Sequence, residues 1–278
     1  MKSLTMSANG FVSEDCKDNG SFAEARMHHF MANGKPLYFN GFNAFWLMCM
    51  ASDPSTKTKV TDASKQASKL GMNVVRTWAF SDGCSKPLQT SPGCYNEDMF
   101  KEWIVEMAAE IKSIDKNHLL EIGLEGFYGE SMPDKKQSNP GYEVGTDFIS
   151  NNQINNVDFA TIHIYPDQWV PGSDEARAEF VEKWINSHIE DCKSILGKPL
   201  LIAEFGKSST SAGYTVEARD EYFGTIFNMV YECARTGGSC SGTTFWQVMA
   251  EGMENWGDGY QVVLEQNPST CAVIAQQS

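Results

Sequence analysis

Lys198-Pro-Leu-Leu-Ile-Ala-Glu-Phe-Gly-Lys207 is the stretch from which the fold can be read. Its apolar run, 200–203, reads as a strand buried in a parallel sheet. Glu204 stands at the end of that strand, and Phe205 and Gly206 turn the chain out. Ligands and catalytic groups of parallel α/β sheets collect where strands end. A carboxylate there is held by a rigid element and faces a pocket, so Glu204 is a candidate nucleophile or general base. The plainer alternative is a glutamate that caps a helix or pairs with a nearby arginine.

Composition frames this reading. A chain of 278 residues suffices for one large α/β domain or two small ones, and 41% hydrophobic with 21% charged residues is ordinary for a folded protein. A net charge of −14 argues against a nucleic-acid partner, which needs clustered Lys and Arg, and suits a neutral or cationic ligand. No apolar stretch approaches the roughly 20 residues of a membrane span. Residues 1–26 are polar and carry no apolar h-region, so they read as a flexible lead-in with no signal peptide. Of the eight cysteines, Cys84/Cys94 and Cys233/Cys240 are the local pairs that could form disulfides; buried free thiols are the alternative. The absence of paired Cys or His spacing argues against zinc, and no metal or other cofactor is expected.

Upstream and downstream of the opening stretch, strands and helices alternate. Asn33-Gly34 reads as the turn of a hairpin within 28–36. A first core strand follows at 37–42 and exits through Asn43-Ala-Phe-Trp46. Residues 56–70 read as a helix stopped by Gly71, and 73–78 as a second strand. Arg76 inside that strand needs a partner, either a site carboxylate or a structural one. After a long loop (79–100) come a helix at 101–114 and a third strand at 119–124 that ends in Glu125. A loop with a short helix near 146–151 leads to a fourth strand, 158–166, which delivers His163 and Tyr165. Helices at 174–196 and 215–235 flank the Glu204 strand. A sixth strand, 243–247, ends near Trp246, and a last helix covers 268–277. His188, on the first of those helices, reads as a core-edge residue. There is no repeat, no dinucleotide-binding glycine pattern, no P-loop, no HExxH and no GxSxG.

Strand ends therefore carry Asn43, Trp46, Arg76, Trp78, Glu125, His163, Tyr165, Glu204 and Trp246. Aromatic faces with carboxylates and few cations suit a sugar, whose C–H faces stack on Trp and Tyr and whose hydroxyls bond to Asn, His and carboxylates. Cleaving a glycosidic bond takes two carboxyl groups. An aromatic core that happens to end strands is the alternative.

The runs Lys35-Pro-Leu-Tyr-Phe-Asn-Gly-Phe-Asn43, Gly71-Met-Asn-Val-Val-Arg-Thr-Trp-Ala-Phe80, His118-Leu-Leu-Glu-Ile-Gly-Leu-Glu-Gly-Phe-Tyr128, Ala160-Thr-Ile-His-Ile-Tyr-Pro-Asp167, Leu201-Ile-Ala-Glu-Phe-Gly-Lys207 and Phe245-Trp-Gln-Val-Met249 decide between these. Together they resemble the plant endo-β-1,4-mannanases of glycoside hydrolase family 5, which are (β/α)8 barrels. The resemblance implies a retaining hydrolase of mannans, galactomannans and glucomannans, active in the cell wall outside the cell, with a polysaccharide partner and a monomeric state. It implies Glu204 as nucleophile, Arg76 and Tyr165 orienting it, His163 lining the catalytic subsite, and Trp78, Tyr165, Trp246 and Asn43 at the substrate.

One motif of that family is missing. Its acid/base glutamate lies in an Asn-Glu-Pro at the end of the fourth strand, and no Asn-Glu-Pro occurs here. The chain passes from Tyr95-Asn-Glu-Asp-Met-Phe-Lys101 straight into Glu102-Trp-Ile-Val-Glu-Met-Ala-Ala109, segments that two strand–helix units separate in the family. Six strands are counted where such a barrel needs eight, so units three and four are expected to be deleted near residue 101, in a single domain spanning 27–278. Loss of general acid catalysis removes a factor of about 10²–10⁴, so little or no turnover is expected. Glu125 is the remaining strand-end carboxylate that could substitute. A catalytically inactive glycan-binding protein is the alternative function.

Overall fold

The computed structural model describes residues 22–47, 50, 55–78, 115–140 and 146–277, together with the strands Ser3–Ser7, Gln89–Ser91 and Cys94–Tyr95 and scattered helical positions between 101 and 113. In chain order the strands are β1 (Ser3–Ser7), β2 (Glu24–Arg26), β3 (His29–Ala32), β4 (Lys35–Leu37), β5 (Phe39–Asn43), β6 (Val74–Trp78), β7 (Gln89–Ser91), β8 (Cys94–Tyr95), β9 (Ala160–Ile164), β10 (Leu200–Phe205) and β11 (Cys240–Phe245). The α-helices are α1 (Lys57–Lys69), α2 (Phe148–Asn152), α3 (Pro166–Trp169), α4 (Asp174–Asp191), α5 (Val216–Arg235) and α6 (Pro268–Gln276).

The main sheet runs β1-β6-β5-β11-β10-β9. Its last five strands are mutually parallel, and β1 is antiparallel to β6. The first parallel strand, β5, lies beside the last, β11, which is the circular order of a (β/α) barrel. Every residue of β9, β10 and β11 is buried, as expected of strands covered on both faces.

The helices follow from their caps and stripes. Ser173 and Thr215 accept from Ala176 N–H (3.3 Å) and Ala218 N–H (3.0 Å) to start α4 and α5. Val181, Trp184, Ile185 and His188 form the buried stripe of α4, and Phe223, Ile226, Phe227 and Val230 that of α5. These stripes pack on Ile162, Ile164, Leu200 and Ile202, the outer face of the sheet. The other face carries Leu201 and Ala203, in a second cluster with Phe159 and Phe30. Phe30 comes from the three-stranded sheet β2-β3-β4, which leads directly into β5 and so covers the N-terminal end of the barrel strands. Asn33 (φ 52°) and Gly34 (φ 74°) make the expected turn between β3 and β4.

Two glycines set the spacing of the wall. A β-carbon on Gly41 would stand 2.2 Å from the Val74 carbonyl oxygen of β6. One on Gly242, at φ +148°, would stand 2.2 Å from the Phe39 carbonyl oxygen of β5. Only glycine lets these neighbouring backbones approach so closely.

Two expectations are corrected here, and one open alternative is decided. The expected lead-in, 1–26, contains β1 and β2 among its described residues, and β1 lies on the edge of β6 where a third barrel strand would pair. The third expected strand, 119–124, is not a regular strand. It runs parallel to β9 with a constant offset, Asp158 N–H donating to Leu120 O (2.8 Å) and His163 N–H to Glu125 O (2.9 Å). Gly123 and Gly126 at φ 71° and 106° turn its other peptide groups off the ladder. Cys233 and Cys240 are free thiols, with Cys240 N–H donating to Cys233 Sγ at 3.2 Å; Cys84 lies outside the described residues.

The deletion is visible in the sheet. β5 and β6 are units one and two, the 119–128 segment occupies the place of strand five, and β9, β10 and β11 are strands six to eight. Among the described residues, no strands of units three and four appear in the sheet order between β6 and the 119–128 segment. Between 101 and 113, buried Ile104 and Ala108 lie four apart on the expected helix.

Candidate active site

The register of β10 against β9 explains how Glu204 enters the barrel. Leu200, Leu201 and Ile202 pair with Ala160, Thr161 and Ile162, but Glu204, not Ala203, pairs with His163. Ala203 is an extra residue, a β-bulge. Strict alternation would put Glu204 opposite Ile164 on the outer, helix-packed face. The bulge puts it opposite His163 on the inner face instead. Bulging costs the Ala203 carbonyl its ladder position, and two side chains satisfy it: Asn43 Nδ2 at 2.8 Å and Thr244 Oγ1 at 2.6 Å.

Around Glu204 the expected residues converge. Arg76 Nη1 on β6 forms an ion pair with Oε1. Tyr165, just beyond β9, donates its hydroxyl to Oε2 at 2.9 Å. His163 Nδ1 lies 3.4 Å from Oε2. Burial pushes the Glu204 carboxyl up, but electrostatic interaction with His163 and Arg76 and the hydrogen bonds from Arg76 and Tyr165 outweigh it, so its pKa falls below the usual carboxylate value. Burial drives the His163 imidazole down to about 4 against the opposing pull of Glu204. It is therefore neutral at pH 7, and the standing positive charge on Glu204 is that of Arg76. His163 Nε2 is buried with no partner among the described residues.

Glu125 is partly buried beside this group. Burial first, and then the Glu204 charge, raise its carboxyl to about 7. Two carboxyl groups near one another thus have opposite tendencies, one held ionised and one held protonated.

Asn43 is placed differently from expectation. It is 1% exposed, with Nδ2 committed to the backbone oxygens of Ala203, Thr244 and Phe245 and Oδ1 accepting from Arg76 Nη1 at 3.0 Å. Its amide braces the bulge and aims the arginine. Trp46 is fully buried, with Nε1 donating to Val248 O at 2.9 Å. The side chain of Trp78, at the end of β6, lies outside the described residues. Trp246 follows β11 and stacks on Phe45 (centroids 5.9 Å apart, planes 11° apart), and exposed Trp256 also meets Phe45 at a tilt (6.1 Å, 41°).

The sequence reading missed a supporting layer. Asp258 accepts from Trp246 Nε1 (2.5 Å) and Gln247 Nε2 (3.1 Å). Asp167 accepts from Ser208 N–H (2.7 Å), Ser211 Oγ (3.0 Å) and the Tyr260 hydroxyl (3.0 Å), and the Tyr260 ring meets Tyr165 edge-on at 5.2 Å. The cluster of Trp, Tyr and Asp within 253–260 was the available signal. No cluster of three or more metal-ligating side chains occurs among the described residues, and no described helix is long and apolar enough to cross a membrane.

The chain is similar to several known proteins. Residues 96–254 match the family described as GH family 5 beta-mannosidase-like. Mannan endo-1,4-beta-mannosidase 4 of Solanum lycopersicum is 41% identical over 368 aligned residues, covering 94% of this chain and 91% of the relative. Mannan endo-1,4-beta-mannosidase 7 of Arabidopsis thaliana is 36% identical over 371, covering 95% and 86%. An alignment of 368 positions on a chain of 278 residues requires gaps in this chain, and a chain this much shorter than its relative is consistent with a deletion. Among solved structures, the endo-1,4-beta-mannanase of Rhizomucor miehei superposes with TM-score 0.67 over 92% of this chain and 98% of its own at 20% identity, a likeness of fold. On these findings the chain belongs to the beta-mannosidase-like group of glycoside hydrolase family 5.

Proposed function

We propose that this chain is an endo-acting, retaining hydrolase of β-1,4-mannans with its nucleophile half intact and its proton-donor half impaired. The observation that carries the reading is Glu204, turned inward by a bulge and kept ionised by Arg76 and Tyr165. An ionised carboxylate held rigidly at a strand end can attack the anomeric carbon and form a glycosyl-enzyme. The bond to the leaving sugar oxygen breaks in the same step, and that oxygen needs a proton. Water then displaces Glu204 and gives up a proton to a base. Intact relatives carry an acid/base glutamate for both transfers on a strand that this chain lacks.

Trp246, Tyr165 and Trp78 supply stacking surfaces for the sugar, and His163 Nε2 a polar contact at the reacting ring. The substrates are mannans, galactomannans and glucomannans of the cell wall, which places the protein outside the cell, acting as a monomer. The names of the relatives support cleavage of β-1,4-mannan, and the strand-end aromatics support a sugar ligand.

The nucleophile is tested with 2,4-dinitrophenyl 2-deoxy-2-fluoro-β-mannoside, whose leaving group departs without a proton. Mass spectrometry of the digested protein is expected to find one fluoromannosyl adduct, on Glu204. An adduct on another residue, or none after prolonged incubation of folded protein, contradicts the proposal. Retention of manno-oligosaccharide binding in the unlabelled case would then favour an inactive glycan-binding protein.

A further inference from the structure

We propose that Glu125 serves as the proton donor and acceptor for whatever polysaccharide cleavage this chain performs, in place of the deleted Asn-Glu-Pro glutamate. This rests on the mannan-hydrolase reading of Glu204. The geometry is that of His163 and its two neighbours. Glu125 O accepts from His163 N–H at 2.9 Å on one side of β9, and Glu204 is the register partner of His163 on the other. Two strand spacings of about 4.8 Å put the two glutamate backbones roughly 10 Å apart. Earlier on the same segment, Leu119 packs against the cluster of Leu201 and Ala203, and Glu121 bonds to Thr161, all on the inner face. The Glu204 charge reaches the Glu125 carboxyl, and a retaining reaction requires the pair to come within about 5–5.5 Å.

The charges around Glu125 fit the role. The charged and titratable groups of the site are Arg76 on β6, His163 on β9, Glu204 on β10, Tyr165 beyond β9, and Glu121 earlier on Glu125's own segment. Glu121 is occupied: its Oε1 accepts from Thr161 Oγ1 at 2.6 Å and from Gly123 N–H. Arg76 is bound to Glu204 and Asn43. No described side chain pairs with the Glu125 carboxylate, and the charge that bears on it is that of Glu204. Burial and this repulsion hold Glu125 protonated up to about pH 7, so it enters the reaction as an acid. When Glu204 has formed its bond to the sugar its negative charge is gone, the repulsion drops, and the resulting Glu125 carboxylate can take a proton from the incoming water. Atoms balance: one proton leaves Glu125 for the departing hydroxyl and one returns from water, whose oxygen bonds to the anomeric carbon and releases Glu204.

The test compares the whole protein with Glu125→Gln on two substrates, mannopentaose and 2,4-dinitrophenyl β-mannobioside. For Glu125→Gln, kcat/KM on mannopentaose is expected to fall about 10²-fold or more, with a loss at least about tenfold smaller for release of dinitrophenol. The activity of the parent on mannopentaose is expected to decline as pH rises through about 7. That limb is expected to be missing in the variant. Added azide, which attacks without a base, is expected to speed dinitrophenyl-mannobioside turnover by Glu125→Gln and to leave the parent unchanged. Equal losses on both substrates mean that Glu125 only supports the fold and overturn the proposal. Mannopentaose cleavage undetectable in the parent overturns it as well. In that case adduct formation on Glu204 still decides the nucleophile separately.

Discussion

Glu204 keeps its charge although its side chain is only 10% exposed, because the Arg76 guanidinium, 12% exposed, sits against it. Removing one partner of such a pair strands the other charge and costs about 3–5 kcal/mol. Arg76→Ala is therefore expected to lower stability by about 3 kcal/mol in urea unfolding, more than a surface Arg→Ala change would. The same substitution removes the attraction that overcame burial. The acid limb of glycosylation by Glu204 should then move to higher pH. Glu204, with its folded pKa depressed, stabilises the parent above the unfolded carboxylate value, and this contribution is lost only as pH falls through the lower folded value. Glu125 has the opposite sign. Its raised pKa gives a contribution that is present below the unfolded value and lost as pH rises through about 7. Glu125→Gln should therefore melt higher than the parent at pH 8 and no higher at pH 4. The meeting of Glu204, Arg76, His163 and Tyr165 was legible because each stands at or near the end of a strand in a parallel sheet. The role of Asn43 was not. Its partner is a backbone oxygen freed by a bulge at Ala203, more than a hundred residues away, and nothing in the local pattern of either segment announces a bulge.

At the scale of the elements, the close approaches of β5 to its two neighbours are the most sensitive points. A methyl on Gly41 would overlap both the carbonyl and the side chain of Val74, neither of which can leave the core. Gly41→Ala is expected to cost about 1–3 kcal/mol, read as a lower urea midpoint with an unchanged slope. Helices α4 and α5 were legible nearly to their ends, because capping serine and threonine and long apolar stripes all point to the same boundaries. The 119–124 segment misled for a definite reason. Its apolar content is that of a strand, while the φ of Gly123 and Gly126 breaks the ladder. The spacing of these two glycines, three apart around a strand end, was the clue available in the sequence.

For the molecule as a whole, the order of the sheet and the alignment with plant relatives describe the same loss. Among the described residues the barrel begins and ends correctly, with β5 beside β11, and no further parallel strand stands between β6 and the 119–128 segment. The omission was legible in the sequence as a missing Asn-Glu-Pro and a junction near residue 101. The pairing of β1 on the edge of β6 was not legible: Ser3-Leu-Thr-Met-Ser7 alternates polar and apolar residues, but a five-residue alternation in a polar lead-in does not name its partner strand. On the proposed roles the loss divides the catalytic machinery unequally: Glu204 and its supports stay, while the strand expected to bear the proton donor goes. Grafting the two missing strand–helix units from the tomato relative should restore mannan turnover by about 10²–10⁴-fold if the fold accepts them. The division is measured most directly by comparing this chain with the intact tomato relative on galactomannan and on 2,4-dinitrophenyl β-mannobioside. A galactomannan rate lower by about 10²–10⁴-fold, with dinitrophenol release in the glycosylation step within about tenfold of the relative, is the predicted result. Galactomannan turnover equal to that of the intact relative would contradict it.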